Sequence, residues 1–342
     1  MSNIADIKVV VVSVTYGQRW HLLRRVLSSV FNQGVECAIV VDNGSLDTIS
    51  KNAMKEFGEK VQVIRLETNT GSAKGYASGI LKALECDFAD LLWLLDDDNC
   101  PCLNALDRLL AAYQRLGSAE TNVLLSLRRD RAEYLHVALT GTPLVYRCNT
   151  FQGFHLCDIP LRLINKKLQN KASEIGQEIL KNRLVPISYA PYGGLLLHRN
   201  WITKIGIPDE RFYLYGDDHE YTFRILSQGG KIFLCTDSEI EDIELSWNSQ
   251  KEKVPAFFLD SVDTGRLFYS LRNRVYFEKK SLNDSTLIYL INMVAYLSYL
   301  VVKSIFLKVP MLFVMKRLLL VYCAIKDGLS GKLGKIEAGR LV

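Results

Sequence analysis

Two cysteines at CxxC spacing are nowhere to be found in these 342 residues, although eight cysteines occur, at positions 37, 86, 100, 102, 148, 157, 235 and 323. Thiols scattered in this way build neither a zinc ribbon nor a disulfide-stapled secreted scaffold, and a reducing compartment is expected. The five histidines, at 21, 136, 155, 198 and 219, show no metal-ligand spacing. Also missing are a GxSxG elbow, a GxxxxGK[ST] phosphate loop and a GxGxxG fingerprint, so hydrolase, P-loop and dehydrogenase readings lack their chemistry. No basic segment with a short apolar core and a small-residue cleavage site opens the chain, and no secretion is expected. A large excess of either charge is absent too: 42 Lys and Arg stand against 37 Asp and Glu, a net +5 that argues against a nucleic-acid partner.

What is present is an alternation of short apolar runs and helical patterns. Val9 to Val14, Ala38 to Val41, Val61 to Leu66 and Asp90 to Leu95 read as strands, and segments near Trp20 to Asn32, Thr48 to Phe57 and Gly71 to Leu84 read as helices. β-branched runs without polar alternation suit strands buried on both faces, so the pattern predicts an α/β fold with a largely parallel sheet between helices. Gly71, Gly75 and Gly79, four residues apart, keep one face of their helix smooth. Tyr189 to Leu197 reads as a further strand bearing Gly193-Gly194, with a helix starting near Asn200. Ala132 to Leu184 reads as irregular, with a weak helix from about Ile159 to Leu180. The length exceeds what one core usually holds, so one large domain plus an appendage is expected.

In open α/β sheets the ligand crevice lies at the carboxyl ends of the strands. Thr15-Tyr16, Asp42-Asn43-Gly44, Asn69 and the triplet Asp96-Asp97-Asp98 all occupy such ends. Adjacent carboxylates repel unless a cation compensates them, and oxygen ligands suit Mg²⁺ or Mn²⁺, which can bridge a nucleotide diphosphate and neutralise a leaving group. Strand alternation would point Asp96 and Asp98 into the crevice and Asp97 elsewhere. A solvated turn before Pro101 is the plain alternative. A second acidic group, Asp217-Asp218-His219-Glu220, follows the aromatic run Phe212 to Tyr215. A carboxylate beside aromatics can act as a base on a hydroxyl, although acids also serve simply as helix caps.

Taken together, Val14-Thr15-Tyr16, Val41-Asp42-Asn43-Gly44-Ser45, Asn69-Thr70-Gly71-Ser72-Ala73, the aspartate triplet, Gly193-Gly194, and Gly206 to Phe212 leading to Gly216-Asp217-Asp218 resemble the family 2 glycosyltransferases over about residues 8 to 275. The bacterial members that add galactofuranose or rhamnose to polysaccharides are the most similar. The resemblance implies a GT-A fold, a Rossmann-like mixed sheet flanked by helices, at 1–275, with a C-terminal helical region at 276–342. It also implies inverting, metal-dependent transfer from UDP-galactofuranose or dTDP-rhamnose to a glycan or polyprenyl-diphosphate-linked acceptor, as in O-antigen synthesis. Thr15, Tyr16, Asp42 and Asn69 would line the nucleotide pocket, Asp96 would contact ribose or base and stand near the metal, and Asp98 would hold Mn²⁺ or Mg²⁺. Asp218 would deprotonate the acceptor and Asp217 would orient it. The histidine that often completes the metal site is missing from Ile240 to Gln250, which leaves Asp242 or Glu244 as oxygen substitutes. Two rivals remain: a catalytically inactive nucleotide- or glycan-binding module, and a sugar nucleotidyltransferase, for which Gly17-Gln18-Arg19 is too thin a triphosphate loop.

From Ser285 to Val302 eighteen residues carry no charge, followed by apolar blocks punctuated by Lys303, Lys308, Lys316-Arg317 and Lys326. This suits amphipathic helices lying on a membrane, with a true span or a self-association surface as alternatives. The expected location is cytoplasmic, peripheral on the inner face of the bacterial inner membrane. Arg272 and Arg274, just before this region, are placed to meet a lipid-linked diphosphate or anionic headgroups, with solvated helix charges as the equal alternative.

Overall fold

A computed structural model of the chain describes residues 7–159, 183–244, 256–259, 262–337 and 340. The chain divides into two compact units: Met1–Val145 with Glu174–Asp209 and Asp218–Gln250, and Tyr146–Ser173 with Glu210–Asp217 and Lys251–Val342.

The first unit is built on nine described strands: β1 (Val9–Thr15), β2 (Cys37–Asn43), β3 (Val61–Leu66), β4 (Leu91–Asp96), β5 (Asn99–Pro101), β6 (Asn122–Leu127), β7 (Leu184–Ile187), β8 (Leu195–His198) and β9 (Lys231–Asp242). They run in the order β3-β2-β1-β4-β8-β6-β9-β5, with β7 also on β9. The β3-β2-β1-β4 half is parallel, and β8 is inserted antiparallel between β4 and β6. Helices α1 (Trp20–Phe31), α2 (Ile49–Phe57), α3 (Ser72–Leu84), α4 (Ala105–Arg115), α5 (Ala132–Thr140), α6 (Asn200–Ile205) and α7 (Asp217–Ser227) complete the unit, α7 entering it at Asp218.

The sheet has a core on each face. Along β1, Val10 and Val12 join Tyr76, Ile80, Leu92 and Leu94 on one side, while Val9 and Val11 join Leu23, Val26, Trp93 and Leu95 on the other. Each fully buried Val or Leu contributes about 2 kcal/mol relative to exposure, which is why β-branched runs without alternation become central strands. The glycine spacing in α3 has the anticipated cause. A Cβ on Gly75 would come within 2.6 Å of Val14 Cγ1, and one on Gly79 within 2.6 Å of Val12 Cγ1, so the helix seats directly on β1.

Two expectations need correction. The segment Tyr189–Leu197 is a strand only from Leu195: Gly194 bonds the Leu94 carbonyl at 2.8 Å, but its φ of +93° is not that of extended backbone. The stretch from Ala132 is not irregular at its start: α5 buries Tyr134, Val137 and Ala138 on one face. The weak helix placed at Ile159 to Leu180 falls, beyond Ile159, outside the described residues.

The second unit is carried by α8 (Thr264–Ser281), α9 (Thr286–Phe306) and α10 (Met311–Ser330). Asp263 caps α8, accepting from the Arg266 amide at 2.8 Å. The fully buried Glu278 carboxylate accepts from the amides of Gln152 (2.9 Å) and Gly153 (3.0 Å) and from Arg274 Nε (2.7 Å). Arg272 is buried, donating to the carbonyls of Phe212 and Gly334, and burial lowers its pKa to about 10. The expectation that Arg272 and Arg274 face lipid phosphates is therefore corrected: one is sealed in the unit's interior and the other neutralises Glu278.

On α9, Asn292 accepts from the Leu156 amide at 3.0 Å and donates to the Asn149 carbonyl at 2.8 Å, so the polar residue that interrupts the apolar run faces inward. The outer face shows Ile291, Val294, Val302 and Phe306, continued on α10 by Leu312 and Met315, all exposed. By length and composition α9 could cross a membrane, and only 22% of its most apolar window is buried.

Candidate active site

β4 ends at Asp96, and the chain turns through Asp97 and Asp98 before β5 pairs with the end of β9. The alternation anticipated for the triplet stops with the strand. Asp97 is not aimed away from its neighbours: it accepts from Thr15 Oγ1 at 2.7 Å and from Arg19 Nε and Nη2 at 2.9 Å each, and Arg19 Nη2 also reaches Asp98 Oδ2 at 3.0 Å. Asp96 accepts from the Tyr76 hydroxyl at 2.6 Å. Asn99, fully buried, stitches the turn together by accepting from the Asp96 amide (3.2 Å) and donating to Asp98 (3.2 Å) and Asp242 (2.7 Å).

Three carboxylates gathered at one strand end leave a clear electrostatic mark. Burial, then Asp96 and Asp97, push the Asp98 carboxyl up to about 7. Burial also raises Asp96, with Arg128 and Tyr76 pulling the other way and Asp242 and Asp218 adding to the rise. For Arg19, burial works against the charge, but Asp97, Glu244 and Asp98 more than offset it and leave the guanidinium more firmly protonated than in water.

The anticipated nucleotide residues lie at the neighbouring strand ends. Thr15 closes β1, and Tyr16 follows it, exposed, with Arg19 Cζ 5.3 Å from its ring centroid. Asp42, near the end of β2, is buried, accepts from the Ser45 amide at 2.8 Å and forms an ion pair with Arg65 of β3. Asn69 accepts from the Gly71 amide at 2.9 Å and so shapes the turn into α3.

Asp218 sits in the first turn of α7, its Oδ1 accepting from the His219 amide at 2.8 Å. The His219 ring lies 4.6 Å from that of Tyr189, which makes it part of an aromatic wall. Thr222, one turn on, bonds the Ala190 backbone at 3.2 Å, tying α7 to the Tyr189–Gly194 segment. Gly193 in that segment lies so close to the β4 tip that a Cβ there would fall 2.9 Å from Asp96 Oδ2. Asp217 is buried, and the residues leading to it belong to the second unit. Tyr213 and Tyr215 there adopt φ of +66° and +67°, a conformation costly for a bulky side chain. The Asn273 amide holds them by donating to the carbonyls of Phe212, Leu214 and Tyr215 at 2.7 to 3.0 Å.

For a divalent cation the donor set is chemically apt, since crowded carboxylate oxygens with Asp98 pushed towards neutrality gain most from a hard cation. Asp242, the sequence's candidate third ligand, is already engaged by Asn99, Arg128 and Arg131. Among the described residues no group of three or more His, Cys, Asp or Glu could hold a metal. Tyr76, Asn99, Arg128 and Arg131, which the sequence reading passed over, and Arg19, which it weighed only as part of a triphosphate loop, are the residues that bond these carboxylates.

Residues 10–138 match the family model described as Glycosyl transferase family 2. Galactofuranosyltransferase GlfT1 of Mycobacterium tuberculosis (strain ATCC 25618 / H37Rv) is 28% identical over 255 residues, covering 70% of this chain and 71% of that protein. Among solved structures, S. aureus TarS 1–349 in complex with UDP-GlcNAc superposes with a TM-score of 0.54 at 15% identity, covering 95% of this chain and 81% of that one. GalNAc-T7 with UDP, GalNAc and Mn²⁺ superposes with a TM-score of 0.53 at 16% identity over 79% of this chain, which spans 47% of that larger protein.

Proposed function

We propose that the chain, which matches the Glycosyl transferase family 2 model over residues 10–138 and resembles galactofuranosyltransferases, is a family 2 glycosyltransferase that moves galactofuranose from UDP-galactofuranose to a glycan or polyprenyl-diphosphate-linked acceptor, with inversion, in bacterial surface polysaccharide synthesis. The observation that carries the reading is the meeting of two distant acidic motifs. The β4 tip and the first turn of α7 are linked through the Ala190–Gly193 segment, which Thr222 holds and which presses on Asp96, and the Asp218 charge opposes ionisation of Asp96. The names of the relatives favour galactofuranose over the rhamnose alternative.

In this reading Thr15, Tyr16, Asp42 and Asn69 bind the nucleoside end, and the Tyr76 hydroxyl fixes Asp96 beside the ribose. Asp98 would hold Mn²⁺ or Mg²⁺, which would offset the charge that develops on the departing diphosphate. Asp218 accepts the proton of the acceptor hydroxyl as that oxygen attacks the anomeric carbon, and a single displacement inverts it. Asp217 orients the acceptor. The Tyr189–His219 wall keeps water from the carboxylate.

Thermal unfolding with UDP or dTDP, each with and without Mn²⁺, tests the donor. A ligand at a hundred times its Kd stabilises the folded state by about 2.7 kcal/mol. UDP with Mn²⁺ is expected to raise Tm clearly above either alone, and dTDP much less. Stabilisation by dTDP instead would move the donor to rhamnose, and none by either nucleotide would sink the assignment.

We also propose that the outer face of α9 and α10 rests on the cytoplasmic leaflet of the inner membrane. Between Asp284 and Asp327 the chain has no acidic residue, while Lys308, Lys316 and Lys326 are exposed beside the apolar face. That combination fits anionic lipid. The full chain is expected to sediment with phosphatidylglycerol vesicles and to be released when Val294 and Leu312 are both changed to Asp. Unchanged sedimentation of that variant, or a lipid-independent dimer that buries the face, would overturn it.

A further inference from the structure

Arg19 lies one residue before α1 with its side chain only 14% exposed, and its three nitrogens reach three carboxylates. Nε and Nη2 grip Asp97, Nη2 reaches on to Asp98 Oδ2 at 3.0 Å, and Nη1 pairs with Glu244, whose side chain is 50% exposed. The Asp97 pair is the buried, doubly bonded end, so it can stay when the other contacts part. The Asp98 contact occupies Oδ2, one of the two oxygens through which that carboxylate would hold a divalent cation, while Oδ1 accepts from Asn99. Two positive groups cannot share one carboxylate at contact distance without strong repulsion.

We propose that Arg19 is an internal counter-cation that keeps the metal position closed until the nucleotide diphosphate arrives. The inference rests on the reading of Asp98 as the metal-binding carboxylate. Without nucleotide, the guanidinium neutralises Asp98 and Glu244, and a divalent cation must displace it with nothing to receive its freed donors. The diphosphate supplies that acceptor while Asp97 keeps the side chain tethered. Tyr16 couples the two ends of the donor, because the ring at the nucleoside side is also the surface on which the Arg19 guanidinium rests. Metal binding then depends on nucleotide, and the free enzyme does not hold the cation idly.

The test is direct Mn²⁺ binding, read from the electron paramagnetic resonance signal of free Mn²⁺, with and without UDP, or dTDP if thermal unfolding selects it. Wild type is expected to bind Mn²⁺ about tenfold or more tightly with nucleotide than without, a usual size for coupling between two ligands. Glu244→Gln is the decisive variant. Removing a carboxylate weakens cation binding on charge grounds alone, whereas loosening the arginine tightens it, so the two accounts predict opposite signs. Nucleotide-free Mn²⁺ binding by Glu244→Gln is expected to tighten about threefold or more, and by Arg19→Gln further still, while Arg19→Lys keeps the gap. Weaker or unchanged nucleotide-free binding in Glu244→Gln overturns the gate and leaves the glycosyltransferase reading standing. Failure of wild type to bind Mn²⁺ in either state overturns the metal role of Asp98, and the gate with it.

Discussion

Asp218→Asn is expected to lower kcat by about a thousandfold while leaving nucleotide binding close to wild type, since a positioned general base contributes about 10² to 10⁴. Asparagine keeps the size of the side chain and can still accept from the His219 amide at 2.8 Å, so the first turn of α7 survives. What it loses is the capacity to take a proton from the acceptor hydroxyl. In the proposed reading the nucleotide side is built from other elements, with Thr15 on β1, Asp42 on β2 and Asp96 on β4. A thousandfold loss corresponds to about 4 kcal/mol of transition-state stabilisation at 1.36 kcal/mol per decade. The measurement is single-turnover transfer from UDP-galactofuranose beside a UDP titration. Unchanged turnover removes Asp218 as the base, and loss of UDP affinity together with turnover would make it a binding residue. The same pair of readings separates an enzyme from an inactive nucleotide-binding module, which has no turnover to lose.

The parallel half of the fold was legible because Val9 to Val12 and Leu91 to Leu95 are apolar on both sides, a pattern that only a strand covered twice can satisfy. The seating of α3 was legible because glycines recur at helical spacing. The antiparallel half was not, since β8 lies between β4 and β6 and β9 returns beside β6 through pairings 70 or more residues apart in sequence. Those pairings decide which charges meet. Arg128, just after β6, and Arg131 reach Asp242 only because β6 and β9 run side by side, so no local pattern announced that Asp242 comes with its own cations. Arg19 was overlooked for a different reason. It was weighed as part of a phosphate loop, and the triplet was read as if β4 continued through it. Once the chain turns at Asp97, the nearest cation to both remaining aspartates is the residue ahead of α1. Arg272 and Arg274 misled through composition: arginines beside an apolar region suggest a lipid surface, but a buried Glu278 and the backbone carbonyls of Phe212 and Gly334 claim them first.

The tightest contact at the site yields the largest expected loss of both stability and function. Gly193→Ala places a Cβ 2.0 Å from Asn99 Oδ1 and 2.9 Å from Asp96 Oδ2, distances that no side chain tolerates. Asn99 cannot yield freely, because it is fully buried and its amide is bonded to the Asp96 amide, Asp98 and Asp242. Overpacking costs about 1 to 3 kcal/mol, and each hydrogen bond broken around Asn99 adds about 1 kcal/mol, so a destabilisation of about 3 kcal/mol or more is expected in denaturant unfolding. The same displacement pulls Asp96 from Tyr76 and disorders the turn that carries Asp98, so stabilisation by UDP with Mn²⁺ should disappear with it. A second change separates strain from chemistry. Asn99→Ala alone removes the polar stitch but leaves room, and in the double variant the alanine methyl at 193 no longer meets an amide oxygen. The double variant should therefore be less destabilised than the sum of the two single changes, a coupling between neighbours that distant sites do not show. Its nucleotide affinity should stay low, because the bonds that hold Asp96 and Asp98 in register are still gone. Wild-type stability for Gly193→Ala would mean that the Tyr189–Gly194 segment does not press on the β4 tip, and additive losses in the double variant would mean that Asn99 is not what the methyl strikes.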